Sequence, residues 1–144
     1  MQLLIDGSNV LGRMRADREN DDVKRALTRA LASFCRRHHA RVWCLFDGER
    51  PSGFGTSIGA VQVIFSGKRD ADSVLVERAL QLKGQVICVT SDAGLAGRVR
   101  SRRCEVRPAD WLIRDLNSDS TEVSGTTSDV DWESYFSEDK NRNV

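Results

Sequence analysis

Histidine is nearly missing from this chain: it occurs twice, as the neighbours His38 and His39. Adjacent histidines at the end of a helix pattern, with no cysteine cluster beside them, argue against a zinc site. The four cysteines, Cys35, Cys44, Cys88 and Cys104, form no C-x-x-C pair. Two lie in strand patterns and one on the apolar face of a helix. They read as reduced core thiols of a cytoplasmic protein, not as disulfides or metal ligands. No apolar run approaches the roughly 18 residues that a membrane span needs, so no membrane partner is expected. No basic and then apolar segment precedes the first strand, so no signal peptide is expected. The glycines of Gly53–Gly59 have the wrong spacing for a dinucleotide-binding turn, and no strand comes just before them.

What the chain does have is acid at the ends of apolar runs. Three runs each finish in aspartate: Leu3-Leu4-Ile5-Asp6, Val42-Trp43-Cys44-Leu45-Phe46-Asp47 and Val86-Ile87-Cys88-Val89-Thr90-Ser91-Asp92. Runs of this length and β-branched content read as strands buried on both faces. Ligands of open parallel sheets bind outside the carboxyl ends of the strands. Three acids there would crowd negative charge. Two carboxylates about 5 Å apart repel by roughly 3 kcal/mol at an effective dielectric near 20. A divalent cation removes that cost, and oxygen ligands suit Mg²⁺ or Mn²⁺. Phosphodiester hydrolysis is the natural use of such an ion.

Between these runs lie helix patterns. Val23, Ala26, Leu27, Ala30, Leu31, Phe34 and Cys35 fall at helical spacing, with Asp21 and Asp22 at one end and Arg36, Arg37, His38 and His39 at the other. Residues 7–20 read as a polar loop. Strands are expected at Arg41–Phe46, Ala60–Phe65 and Cys104–Arg107. Helices are expected from about Asp70 to Lys83, with Gly84 as C-cap, and over Ala93–Arg103, with Asp92 as its cap. Pro108 opens a last helical turn carrying Trp111, Leu112 and Leu116. Alternating strands and helices predict an α/β fold with a mainly parallel sheet.

Charge divides the chain. Residues 1–117 hold 20 Lys/Arg and 14 Asp/Glu, a net +6, while residues 118–144 hold 2 and 7, a net −5. The basic part suits a polyanionic partner. Residues 1–117 are read as one domain and 118–144 as an acidic, flexible tail. Within that tail, Val130-Asp131-Trp132-Glu133-Ser134-Tyr135-Phe136 is an aromatic segment suited to docking on a protein partner, on a second copy or back on the domain.

A fourth acid is expected at Lys68-Arg69-Asp70-Ala71-Asp72-Ser73. On a helix, positions i and i+2 lie about 200° apart, so Asp70 and Asp72 cannot share the cleft. Asp72 leads into the inner face that includes Leu75, and Asp70 is the natural cap. An aspartyl-nucleophile phosphatase would want a second acid two residues after Asp6, where this chain has Ser8.

Leu4-Ile5-Asp6-Gly7-Ser8-Asn9, Leu45-Phe46-Asp47-Gly48, Ala71-Asp72 and Val89-Thr90-Ser91-Asp92 resemble the successive motifs of PIN-like nucleases. Within them the chain is most similar to the NYN branch and its YacP-like bacterial proteins, over roughly residues 1–116. The resemblance implies a Rossmann-like three-layer sandwich of PIN type and an Mg²⁺- or Mn²⁺-dependent ribonuclease, endonucleolytic in action. It implies that Asp6, Asp72 and Asp92 hold the metal, that Asn9 positions Asp6 or the phosphate, and that Asp47 completes the acidic edge. Relatives often show two acids where this chain has Asp72-Ser73, which leaves Glu77 or Asp70 as substitutes.

The substrate implied is RNA. Among its basic residues, Arg13, Lys68 and Arg69 lie beside acidic motifs and are candidate phosphate contacts. Arg98 represents a second group with Arg100, Arg102 and Arg103, and Arg15 is a further candidate. Only 6% of residues are aromatic, so base stacking is scarce and weak sequence discrimination is expected. The rival function is a non-catalytic RNA-binding or adaptor protein that keeps the fold.

Overall fold

The expected strands assemble into a single six-stranded sheet in the computed structural model, which describes residues 1–100 and 104–122. In chain order the elements are β1 (Gln2–Asp6), α1 (Gly7–Arg13), α2 (Asp21–His38), β2 (Arg41–Phe46), β3 (Ser57–Ile58), β4 (Val61–Phe65), α3 (Ala71–Gln81), β5 (Ile87–Val89), α4 (Ala93–Arg100), β6 (Glu105–Arg107) and α5 (Ala109–Glu122). The strand order is β3-β4-β2-β1-β5-β6. Every pair is parallel except β3 with β4. Parallel strands need both faces covered, and the alternation along each strand provides two apolar faces. Leu3, Ile5, Val42, Cys44, Phe46, Val61 and Val63 face the core shared with α1, α2 and α5. Leu4, Trp43, Leu45 and Cys88 face Leu75 and Ala79 of α3 and Leu95 and Val99 of α4. The result is the three-layer sandwich that the motif order implies.

Helix α2 forms as its stripe predicts. All seven apolar positions from Val23 to Cys35 are buried. The Asn20 side chain accepts from the amides of Asp22 and Val23, and His39 turns into the left-handed region (φ 51°) to end the helix. All four cysteines are free and buried. No helix among the described residues is long and apolar enough to cross a membrane.

Five elements differ from the expectation. Residues 7–13 form α1, not loop: seven residues with Val10 and Leu11 buried are too few to show a periodic stripe. Residues 57–58 add the antiparallel edge strand β3 within the glycine-rich stretch. Helix α3 is capped by Leu82 in extended conformation, and Gly84 (φ 83°) makes a turn two residues later. Strand β5 ends at Val89, so Asp92 sits beyond a two-residue loop and opens α4. Helix α5 runs on through 118–122, past the change of composition at residue 117. Arg102, Arg103 and the aromatic segment 130–136 lie outside the described residues.

Burial decides which substitutions matter. Leu4 is 1% exposed at the centre of the sheet, and Leu80 is 57% exposed on α3. Urea unfolding should show Leu4→Ala losing about 2–5 kcal/mol and Leu80→Ala within about 0.5 kcal/mol of the parent. Equal losses at the two positions would contradict the burial pattern.

Candidate functional site

The chain fills the sheet outward from β1 in two directions: β2 and β4 on one side, β5 and β6 on the other. The order therefore reverses between β1 and β5. Neighbouring crossovers leave in opposite directions there, which opens a crevice at the carboxyl edge. Asp6 ends β1 and Asp92 follows β5, so both stand at that crevice.

Asp6 caps α1. One carboxylate oxygen accepts the Asn9 amide (3.3 Å), and the other accepts the Thr90 hydroxyl (3.3 Å). Gly7 lets α1 begin so close to β2: a Cβ there would lie 2.7 Å from the Phe46 ring and 2.9 Å from the Leu45 carbonyl. Burial pushes the Asp6 carboxyl up to about 6, opposed by those two hydrogen bonds and reinforced by the negative charges of Asp72 and Asp92. Asp92 caps α4 by accepting the Leu95 amide (3.0 Å), and its own amide donates to the Thr90 oxygen (3.1 Å). Thr90, 2% exposed, thus joins the two acids through one hydroxyl.

The remaining acids complete the edge. Asp47 is exposed just past β2; one of its oxygens accepts the Ser66 hydroxyl (3.2 Å), and its amide donates to the Ser8 oxygen (3.1 Å). Asp72 lies in the first turn of α3. Its carboxyl is raised, first by desolvation, then by repulsion from Asp70, Asp92 and Asp47, with Arg98 opposing. Asp70 caps α3 by accepting the Ser73 amide and hydroxyl, and the Ser73 hydroxyl chiefly holds its carboxyl low. Asp70 caps α3 from an extended position just outside the helix, and Asp72, inside its first turn, lies in the field of Asp70, Asp92, Asp47 and Asp6. Glu77 pairs with Arg69.

The Asn9 side chain turns from Asp6 to the next loop. Its oxygen accepts the Ser91 amide (2.8 Å), and the Ser91 hydroxyl accepts the Ala109 amide at the start of α5 (3.0 Å). Arg13 is engaged with Asp110 (2.9 Å) and Arg69 with Glu77, whereas Lys68 is exposed. Thr90, Ser8, Ser66 and Ser91 are the site residues that sequence reasoning overlooked. Each acts on a partner 18 or more residues away, and no local spacing signals that.

Among the described residues, no three acid, histidine or cysteine side chains come close enough together to hold a metal ion between them. The acids instead share one electrostatic field while holding separate hydrogen bonds. An all-oxygen, open set of this kind fits an ion that keeps several waters and takes one or two carboxylates, as Mg²⁺ does. Asp6 in particular is a desolvated carboxylate repelled by two others, and a cation would relieve it.

The YacP-like NYN domain family model matches residues 3–142. The crystal structure of Rae1 (YacP) from Bacillus subtilis is similar at TM-score 0.74 and 20% identity, covering 93% of this chain and 83% of that one. Its W164L mutant gives TM-score 0.66 and 22% identity, covering 82% and 75%. At these identities the structural likeness is one of fold. No curated protein matches the chain.

The raised Asp6 pKa has a sign that stability can test. The folded state holds this proton more tightly than the unfolded chain. That contribution is full below pH 3.8 and is lost as pH rises through about 6. Asp6→Asn should therefore be more stable than the parent at pH 8 by about 2–3 kcal/mol, with the gap closing toward pH 4, in denaturant titrations free of divalent ions. A parent that is the more stable of the two at pH 8 would contradict the desolvation of Asp6.

Proposed function

The chain belongs to the YacP-like NYN domain family, and on that premise we propose that it is an Mg²⁺- or Mn²⁺-dependent ribonuclease that cleaves RNA phosphodiesters endonucleolytically. The observation that carries the reading is Asp6: a desolvated carboxylate fixed by the Asn9 amide and the Thr90 hydroxyl, in the field of Asp72 and Asp92. Asp6, Asp72 and Asp92 would hold the ion. Such an ion supplies positive charge to phosphoryl oxygens and eases deprotonation of a water.

The protein's own residues do the rest. Asn9 and Thr90 keep Asp6 from rotating, and the Leu95 amide does the same for Asp92. Asp47, exposed and held by Ser66, orients the attacking water or accepts its proton. Arg98 lies in the field of Asp70 and Asp72 and contacts a phosphate bound there. Lys68 adds a second cation from the loop before α3. Arg13 and Arg69 reach phosphate by exchanging Asp110 and Glu77. Such surface pairs are worth only about 0.2–1 kcal/mol, so the exchange is cheap.

Cleavage of labelled single-stranded RNA tests the assignment. Asp6→Asn and Asp92→Asn should lose at least about 100-fold in kcat/KM, and Thr90→Val, which acts through Asp6 and Asp92, about 10–100-fold. Excess EDTA should abolish turnover, and Leu80→Ala should leave it unchanged. Undiminished cleavage by purified Asp6→Asn would sink the reading. RNA binding with no metal-dependent turnover by the parent would mark an adaptor instead.

A further inference from the structure

Helix α2 buries one face and turns Asp22, Arg25, Arg29, Ser33, Arg36 and Arg37 outward. Arg37 is committed to Asp115 (2.7 Å), which fastens α5. Arg25, Arg29 and Arg36 remain as a basic line. Residues at i, i+4 and i+11 fall within about 40° of one another around a helix, spaced by roughly 6 Å and then 10 Å along its axis. The helix leads directly into β2, so its last turn lies at the amino ends of the strands and its first turn at the carboxyl edge. The basic line therefore starts beside the acidic edge and runs away from it.

A groove accompanies the upper part of this line. Arg25 and Arg29 form one wall, Phe54, Gly55, Ser57 and Ile58 the other, around an open volume of about 260 Å³. The Arg25 guanidinium stacks on the Phe54 ring at 4.8 Å. Phe54 packs in turn on Phe65 (5.1 Å) and Phe46 (6.4 Å). Those two residues immediately precede Ser66 and Asp47, which are paired at the acidic edge. Phe54, in the groove wall, is thus packed through two further rings against the residues that precede the paired Ser66 and Asp47. The groove's cations stand on one side, and the half-exposed Ile58 on the other. Arg25 also meets Asp22 at 3.3 Å, a one-turn surface pair that a phosphate can replace.

We propose that the RNA strand leaving the acidic edge passes over Phe54 and down the outer face of α2, its phosphates seated on Arg25, Arg29 and Arg36. This rests on the ribonuclease reading of the acidic edge and adds the path of the flanking strand. The path makes affinity depend on RNA length, because a strand that ends at the cleft never reaches the arginines.

Fluorescence anisotropy on the full chain tests it, with Asp6→Asn present to prevent cutting. The probes are labelled single-stranded RNAs of about 5 and about 20 nucleotides, either side of usual single-strand site sizes. Adding Arg29→Glu and Arg36→Glu should weaken the long RNA at least about 10-fold, flatten its salt slope by about 1.4 and leave the short RNA within about twofold. The cation stacked on Phe54 is Arg25, which these variants keep, and the lysine pair Arg29→Lys with Arg36→Lys should restore most of the binding. Should the charge reversal lower the melting temperature, Arg29→Ala with Arg36→Ala makes the same comparison. Unchanged long-RNA affinity and slope overturn the path, and so does an equal loss on both lengths. Cleavage of the short RNA by the chain with Asp6 intact separates the two claims. Cleavage with unaffected long-RNA binding overturns the path alone; selective binding loss without any cleavage supports the path and removes the ribonuclease reading.

Discussion

A carboxylate held away from water at the end of the central strand is the constraint around which this structure is organised. Asp6 follows three residues that are 0–1% exposed, so it is carried into the protein by β1 itself. Its oxygens meet an amide from its own helix, α1, and a hydroxyl from the loop after β5. Those two bonds do not cancel the desolvation, and the net shift is upward. The position thus gives up stability near neutral pH to keep a carboxylate fixed at the strand end, a trade common at functional sites.

The same constraint explains the surrounding loops. Thr90 can reach Asp6 only because β5 lies next to β1, with Cys88 opposite Leu4 and Val89 opposite Ile5. Asn9 then ties Ser91, and Ser91 receives the first amide of α5. Helix α5 is braced a second and third time by Arg13–Asp110 and Arg37–Asp115. The acidic loop after β5 is therefore held from both α1 and α5. This also accounts for Arg13: a residue beside an acidic motif works here as a clamp between helices, at least until a phosphate competes for it.

Much of this was legible in the residues. The apolar runs mark β1, β2 and β4, because strands buried on two faces need unbroken apolar sequence. The α2 stripe is complete from Val23 to Cys35 because a long helix repeats its pattern. The capping role of Asp70 was legible, but Asp70 stands in extended conformation just before α3, so a helical angle between it and Asp72 is not what separates them. Helix α1 was not legible, because two turns carry too little periodicity. The Thr90, Ser8 and Ser66 hydroxyls were not legible either, because their partners meet only after the sheet forms. The pairing of Arg69 with Glu77 is a tertiary choice among nearby charges, which the motif cannot reveal.

The central claim is that Asp6, Asp72 and Asp92 together form the seat of a divalent cation. A crystal soaked in Mn²⁺, with anomalous scattering measured at the manganese edge, addresses it most directly. The account predicts one dominant anomalous peak at the carboxyl edge between β1 and β5, within ligand distance of at least one of these carboxylates and bridged to the others by water. No peak there, or a dominant peak at acids elsewhere on the surface, would contradict it.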